Sequence, residues 1–297
     1  MKERALKEVE DILDENGYDY SEFSGCFDVA AIKKQLPTEN ILLLKVLENV
    51  DSFMEDHAKN LSIVADNVDG NALLVGNRTS VEKLQDSIIY ERFGVHTVSI
   101  GTLELIVDGT VPKVYRFRGG LFSEINPEKL KAARNSAGLT QGELALKAGV
   151  TKKNIYEHEA RQMKIQFDIA EKIESILDEE LTEPARLSPG LVGQNIPKGN
   201  FEKTVSKDMR KLGISTSIVY KAPFNIIATL NDKIIISDAE ADADRVKKNA
   251  PQVADFADIT RKFGLAITKD EVSLDIPSLT EHQLKRMHPD DIRKLLE

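Results

Sequence analysis

The chain has 297 residues, a length that allows two or three domains. Of these residues 41% are hydrophobic and 30% charged, which is the composition of an ordinary globular protein. No apolar run approaches the roughly 20 residues of a membrane-spanning helix, and the N-terminus lacks the apolar stretch of a signal peptide. The only cysteine, Cys26, excludes an internal disulfide and is predicted to be a small buried residue. These features predict a cytoplasmic protein that does not associate with membranes.

The charge is unevenly distributed along the chain. The net charge is -9, yet residues 111–165 hold 11 Lys and Arg against 5 Glu and Asp, a local charge of +6 that leaves -15 for the rest. A basic middle between acidic parts is typical of a localised surface for nucleic acid. Chance clustering on a solvated face is the alternative.

The first block, residues 1–120, has the pattern of an α/β domain. Three segments rich in apolar and β-forming residues, CFDVAAIKK, ILLLKVLEN and NALLVGN, are predicted strands. The segment SVEKLQDSIIYERFG is predicted to be a helix that ends at Gly94, and VHTVSI follows as a strand. Strand, helix and strand in this order predict a βαβ unit.

In the second block, residues 121–182, the segment 125–181 is predicted to be helical throughout. Pro127 suits the first position of a helix, and Thr140 with Glu143 three residues later forms a capping box at the start of a second helix. Gly149 allows a turn with positive φ, and Thr151 caps a third helix. Buried positions are predicted at Leu130, Leu144, Ala145, Ile155, Ile165, Ile169, Ile173 and Ile176.

A linker and a second α/β block complete the chain. Prolines and glycines cluster in the predicted linker, residues 183–199. The block 200–297 opens with a helical segment, continues with the strand-like PFNIIATL and DKIIISD, and ends in one or two short helices with a capping box at Ser278 and Glu281.

The outer blocks echo each other. FDVAA (27–31) matches FNIIA (224–228), ILLLKV (41–46) matches KIIISD (233–238), and residues 58–76 share KN and VAD with 247–268 at similar spacing. The constant order predicts that the two blocks are diverged copies of one α/β unit, with the helical block inserted between them. Alternatively, any two small α/β domains show such echoes.

The segment LKAARNSAGLTQGELALKAGVTKKNIYEHEAR, continuing into IAEKIESIL, resembles the lambda-repressor/Cro-like helix-turn-helix. The resemblance implies that the third helix is the recognition helix, that Gln141 contacts a phosphate, and that Lys152, Lys153 and Glu157 lie where the family reads base edges. Where this family commonly turns with a glycine, Ala160 follows, so the helix is predicted to extend. The predicted DNA-binding residues are Gln141, Thr151, Lys152, Lys153, Asn154, Tyr156, Glu157, Arg161, Arg116 and Arg118.

The last two of these precede the helices, in the segment VPKVYRFRGG. Its alternation predicts a strand or arm that sends Arg116 and Arg118 to one face, where they contact the DNA backbone or minor groove. An exposed edge strand that covers the first block is the alternative. The whole arrangement, with α/β blocks on both sides of the helices, resembles a family of transcriptional regulators found in archaea.

The first block also resembles the restriction-endonuclease-like fold. The nuclease motif of that fold needs an Asp, then an acidic residue two positions before a Lys, to hold Mg²⁺ and assist water. Asp28 and Lys45 fit, but Leu43 occupies the second carboxylate position, and Asn225 replaces the Asp in the third block. The site is therefore predicted to be degenerate. The five histidines lack metal-ligand spacing and no nucleotide-binding motif occurs, so no cofactor is expected.

Together these features predict a fold of the α/β plus all-α class: a degenerate restriction-endonuclease-like domain, a lambda-repressor-like helix-turn-helix, and a smaller α/β domain. The predicted function is a sequence-specific DNA-binding transcriptional regulator, not an enzyme, that binds double-stranded DNA as a homodimer. A nuclease with a divergent Asp28/Lys45 site and a DNA-associated scaffold that contacts protein or RNA are the alternatives.

Overall fold

The computed structural model describes residues 2–34, 41–187 and 193–295. Residues 188–192 of the predicted linker lie outside these ranges. The elements, in chain order, are α1 (Lys2–Glu15), β1 (Tyr18–Glu22), β2 (Val29–Lys33), β3 (Ile41–Asn49), α2 (Glu55–Asn67), β4 (Asn71–Arg78), β5 (Ile88–Arg92), β6 (Val95–Val98), α3 (Ile100–Asp108), β7 (Val114–Phe117), β8 (Gly120–Ile125), α4 (Pro127–Ser136), α5 (Gln141–Ala148), α6 (Lys152–Ala160), β9 (Lys164–Gln166), α7 (Phe167–Leu177), β10 (Thr182–Glu183), α8 (Asn200–Lys211), β11 (Ser215–Ile218), β12 (Ile226–Leu230), β13 (Lys233–Ala239), α9 (Ala243–Ile259), β14 (Phe263–Thr268), β15 (Ser278–Thr280), α10 (Glu281–Arg286) and α11 (Pro289–Leu295).

The chain divides into two compact units. The first comprises residues 1–76, 92–96 and 187–297, and the second comprises 77–91 and 97–186. Most of both predicted α/β blocks therefore lies in the first unit, and the helical block lies in the second. Within the described ranges, no helix combines the length and apolarity that crossing a membrane requires.

Two copies of one α/β arrangement make up the first unit, which confirms the predicted repeat. The first repeat is α1-β1-β2-β3-α2-β4, the second is α8-β11-β12-β13-α9-β14, and both have their four strands in sequence order within the sheet. In each, the first three strands are antiparallel neighbours. β15 extends the second sheet in parallel with β14. One face of α1, formed by Ala5, Val9 and Leu13, is buried.

The strand register corrects the sequence match by one residue. Val29 lies opposite Leu44 in the first repeat, and its counterpart Ile226 lies opposite Ser237 in the second. ILLLKV therefore corresponds to IIISDA (234–239), not to KIIISD (233–238). The short apolar runs look alike when shifted by one, but the pleat does not allow the shift, because it would turn every side chain to the other face. Lys45 consequently corresponds to Asp238.

Aromatic rings join the two repeats. Phe224 and Phe256 of the second repeat have ring centroids 4.7 Å apart, and the Phe256 ring lies 5.3 Å from Phe27 of the first. Beside them the Cys26 backbone N–H donates to the Lys221 carbonyl. Gly25 is required there, because a Cβ at this position would lie 1.9 Å from that carbonyl oxygen. Cys26 is fully buried, as predicted.

One predicted helix is wrong. In SVEKLQDSIIYERFG the structure has the strand β5, and Phe93 and Gly94 connect it to β6, both with left-handed φ (51° and 78°). The run Ile88–Tyr90 is β-branched and aromatic, which favours a strand over a helix. The helix of the first repeat lies earlier, at α2, between β3 and β4.

The second unit holds α4–α7 around their own core, closed by short strands. β8 enters the helical block and β10 leaves it, and the two pair antiparallel, with Thr182 opposite Ile125. In the first unit the C-terminal tail forms the two short helices α10 and α11, but the capping box is at Thr280 and Gln283 rather than Ser278 and Glu281. The predicted pair, Ser278 and Glu281, lies two residues too early, because β15 occupies Ser278–Thr280.

Candidate nucleic-acid interface

The turns of the helical block follow the capping rules read from its sequence. Thr140 accepts from the Glu143 N–H while the Glu143 carboxylate accepts from the Thr140 N–H at 2.7 Å, a complete capping box. α5 ends at Gly149, whose φ of 78° is left-handed. Thr151 then caps α6 by accepting from the Asn154 N–H at 3.2 Å. These caps fix where α6 starts and how it leaves α5.

One face of α6 is anchored in the core of the second unit. Ile155 and His158 are buried on it, and burial lowers the pKa of the His158 imidazole. The buried apolar side chains around them, which confirm most predicted core positions, are Ile125, Leu130, Leu144, Ala145, Ala148, Ile165, Ala170, Ile173 and Leu181. Ile165 belongs to β9, not to the helix that follows. A buried anchor of this kind leaves the other face of α6 outward.

An ion pair ties α6 to α4. The Arg134 guanidinium donates through Nη2 to Glu159 Oε2 at 3.1 Å, and also to the Leu139 carbonyl at 2.8 Å. The arginine beside it lowers the pKa of the Glu159 carboxyl against the opposing effect of burial. Gln141, at the first position of α5, donates its amide to the same carboxylate at 2.8 Å. Sequence reasoning missed this pair, since nothing in the local pattern brings residues 25 apart together.

The outward face of α6 carries five of the ten predicted DNA-binding residues. Lys152, Lys153 and Asn154 are exposed in its first turn. One turn later Tyr156 is 59% exposed, and the half-buried Glu157 lies 3.9 Å from Lys153 Nζ. Two cations, an amide, a phenol and a carboxylate thus share one helix, at whose N-terminus the backbone dipole favours anions.

The end of α6 differs from the prediction. The helix stops at Ala160, and Arg161 is extended, with φ of -157° and ψ of 151°. The chain turns here because Lys164–Gln166 must pair with β8, where Ile165 lies opposite Ser123. The exposed Arg161 donates to the Met163 sulfur at 3.2 Å. The predicted extension of the helix is therefore wrong, while Arg161 remains at the surface.

Arg116 and Arg118 are both exposed but belong to a different element. Arg116 lies on β7, and Arg118 follows in the tight turn to β8, where Phe117 is opposite Gly120. Phe117 and Tyr115 point to the other face of β7, where Lys164 Nζ lies 4.1 Å and 4.5 Å from their ring centroids. Packing on that face fixes the strand and leaves Arg116 toward solvent.

The restriction-endonuclease-like site of the first repeat is filled by an ion pair. Lys45 Nζ donates to Asp28 Oδ1 at 3.0 Å and to the Gly25 carbonyl at 2.7 Å, and Asp28 Oδ2 accepts from the Val46 N–H at 2.9 Å. Both side chains are buried, and the apolar Leu43 is fully buried where a second carboxylate would be needed. Both oxygens of the one carboxylate are engaged, so these residues do not fit a divalent cation. In the described ranges, no three acidic, His or Cys side chains are grouped to hold a metal.

In the second repeat, an amide side chain occupies the position that corresponds to Asp28. Asn225 donates to the Ala239 carbonyl and accepts from the Ala239 N–H, each at 2.9 Å. Asp238, at the position of Lys45, instead accepts from Asn249 at 3.1 Å. Burial raises the pKa of Asp238 to about 7.

Comparisons with known proteins divide the chain in the same way. A PD-(D/E)XK superfamily domain matches residues 2–112, and a helix-turn-helix matches 130–183. Proteins of Thermococcus kodakarensis and Pyrococcus furiosus are each 31% identical to the chain, over 98% and 100% of it and 93% and 96% of their own lengths. A protein of Methanocaldococcus jannaschii is 29% identical over 100% of the chain and 96% of its own. All three are provisionally named HTH-type transcriptional regulatory proteins. No solved structure matches.

Proposed function

Because the chain belongs to this archaeal family of HTH-type transcriptional regulatory proteins, we propose that it is a sequence-specific regulator of transcription that binds double-stranded DNA through α6. The observation that carries the proposal is the two-sided character of α6. Ile155 and His158 bury one face, and exposed cationic and polar side chains occupy the first turn of the other. The DNA-binding domain proposed from the sequence, residues 121–182, contains all of these.

The side chains on α6 suit the edges of bases in the major groove. Lys152 and Lys153 can donate to O6 and N7 of guanine, and Glu157 can accept from N4 of cytosine. Asn154 and Tyr156 lie next to them on the helix. Gln141 keeps a second amide hydrogen for a phosphate, since its bond to Glu159 uses one.

Arg116 and Arg118, with Arg161, are proposed as phosphate contacts. Phosphate contacts add affinity without reading sequence. The helix-turn-helix therefore supplies sequence specificity, and the arginines outside α6 supply affinity for any duplex, which weakens as the salt concentration rises.

Binding is tested by selecting duplexes from a random library with the full chain, then measuring affinity against salt. The variant Lys152→Ala/Lys153→Ala should lose about 1–3 kcal/mol for each good base contact removed. Lys203→Ala/Lys207→Ala, on the exposed side of α8, is the matched control and should bind as wild type. An unchanged affinity and sequence preference in the first variant would refute the assignment of α6.

We propose that the PD-(D/E)XK domain does not cleave DNA. The family match to residues 2–112 is what favours a nuclease, and the engaged Asp28 carboxylate with Leu43 is what opposes it. The full chain incubated with supercoiled plasmid and Mg²⁺ or Mn²⁺ should leave it intact. Stoichiometric nicking that disappears in Asp28→Ala would overturn this proposal and favour the nuclease.

A cytoplasmic homodimer is the proposed form of the protein. One recognition helix contacts only a few base pairs, and two-fold symmetry doubles the sequence that is read. The residues outside 111–165 carry -15 and are the surfaces available to a dimer when the basic part faces DNA. Light scattering at micromolar concentration should give twice the mass of one chain, and a monomer both free and on DNA would contradict this.

A further inference from the structure

A small polar cleft lies inside the first unit, where the two repeats meet. It is bounded by α2 of the first repeat, by residues 193–195, and by α8 and β11 of the second, with a volume of about 140 Å³. We call it the inter-repeat cleft. Apart from Ile63, Gly193 and Ile218, its lining residues have polar or charged side chains. The Asn195 amide donates to Asn60 at 2.8 Å and fixes one wall.

Arg210 on α8 lines this cleft with an exposed side chain. Its Nε donates to Thr216 Oγ1 at 3.0 Å, and Thr216 is held in turn by Ser206 at 2.8 Å. The two terminal nitrogens of Arg210 have no acceptor among the described residues. With Nε held, those nitrogens form the planar fork that matches both oxygens of a carboxylate.

The opposite charge comes from the other repeat. Asp66, on α2, lines the same cleft and forms no ion pair or hydrogen bond with any residue that the structure describes. An acidic and a basic side chain thus line two walls of one small cleft, both exposed to solvent and neither in an ion pair with a described residue. A ligand that carries both charges would satisfy them together.

The corresponding cleft on the other side of the repeat shows that this pairing is not a general consequence of the fold. There α9 lies beside β1, and Asp255 is the counterpart of Asp66 in the repeated VAD. The same cleft is also lined by two further carboxylates, Asp19 and Asp258, and by one arginine, Arg261. Three carboxylates against one guanidinium repel a ligand carboxylate. Asp19 is already paired with Lys34 at 2.8 Å.

We propose that the inter-repeat cleft binds a small zwitterion of the α-amino-acid class, with its carboxylate on Arg210 and its ammonium on Asp66. The volume of about 140 Å³ is below the roughly 300–1,000 Å³ of pockets for drug-sized ligands, so it admits an amino acid with a short side chain. Neutral side chains such as Asn67 and Ser217 can bond its remaining polar atoms. This site is independent of the DNA-binding proposal, and either can fail without the other.

The test is isothermal titration calorimetry of the full chain with glycine, L-alanine, L-serine and L-threonine. At least one should bind, whereas acetate and methylammonium, each with one charge, should not. Titration to about 10 mM reaches a Kd of ~1 mM. Arg210→Gln and Asp66→Asn should each weaken binding about 10- to 150-fold, the usual loss of a hydrogen bond to a charged group. Arg210→Lys, which keeps the charge and loses the fork, should recover part of the affinity.

Asp255→Asn in the corresponding cleft is the matched control and should bind as wild type. Circular dichroism establishes that every variant is folded before titration. No heat from any of the four amino acids, binding that survives in both Arg210→Gln and Asp66→Asn, or equal binding of acetate would each overturn the proposal.

Discussion

Replacing Lys45 by methionine should destabilise the first unit strongly. The substitution keeps the apolar length of the side chain but removes the ammonium that lies 3.0 Å from Asp28 and 2.7 Å from the Gly25 carbonyl. The side chains of Lys45 and Asp28 are only 7% and 4% exposed, so solvent cannot take over as partner of the carboxylate. Breaking a buried pair from one side costs about 3–5 kcal/mol, because it leaves an uncompensated charge.

The second repeat suggests how the loss can be reversed. Asn225 needs no charged partner, since its amide both donates to and accepts from the Ala239 backbone. Asp28→Asn combined with Lys45→Met copies that arrangement, with Val46 in the place of Ala239. The double variant should therefore be more stable than Lys45→Met alone, with a coupling energy of about 2 kcal/mol between the two positions.

The assay is urea unfolding followed by far-UV circular dichroism, with the free energy of unfolding taken from the linear dependence on urea. Lys207→Met, an exposed lysine on α8, is the control and should change stability by less than about 0.5 kcal/mol. A cost below about 1 kcal/mol for Lys45→Met, or a double variant no more stable than the single one, would refute the reasoning from uncompensated charge.

Three further substitutions test single features. Because the folded pKa of Asp238 is raised to about 7, the free energy of unfolding falls as pH rises from about 4 to 7. Asp238→Asn should remove that loss and add up to about 4 kcal/mol of stability at pH 8. A urea midpoint equal to that of wild type at pH 8 would contradict this. Because the pKa of His158 is lowered, the stability of the second unit falls as pH drops below about 6.5. His158→Gln should therefore reduce the change in urea midpoint between pH 7 and pH 5. An unchanged dependence of the midpoint on pH would count against a buried neutral imidazole. Phe93 is half-exposed with φ of 51°, so Phe93→Asn should raise stability by about 0.5–1 kcal/mol, and a lower melting temperature would show that its ring contributes more than its backbone costs.

The helical block could be predicted in detail because its signals are local. Thr140 with Glu143, Gly149 and Thr151 each act within four residues, so sequence separation adds no ambiguity. The exposed face of α6 followed from the same spacing. The end of the helix did not, because it depends on β9 pairing with β8, which is a contact between distant parts of the chain.

The outer blocks show the limit of pattern reading in a sheet. Their repeat was visible in FDVAA and FNIIA, but the register of the next strand was off by one, because ILLLKV and KIIISD contain too many interchangeable apolar residues. Only the pairing of Val29 with Leu44 and of Ile226 with Ser237 fixes it. The joining of first and third blocks in one unit was equally invisible, since the rings of Phe27 and Phe256 are far apart in the chain.

The corrected register changes how the nuclease-like site is understood. Aligned properly, the two repeats differ at both positions of the motif: Asp28 and Lys45 in the first correspond to Asn225 and Asp238 in the second. In each repeat, the side chain at the start of the second strand accepts a hydrogen bond from the backbone of the third strand. In the first repeat the Asp28 carboxylate accepts from Val46, and in the second the Asn225 amide accepts from Ala239. A polar side chain at this point therefore has the same structural role in both repeats. That role, together with the concentration of positive charge in residues 111–165, supports α6 rather than the repeats as the surface that meets DNA.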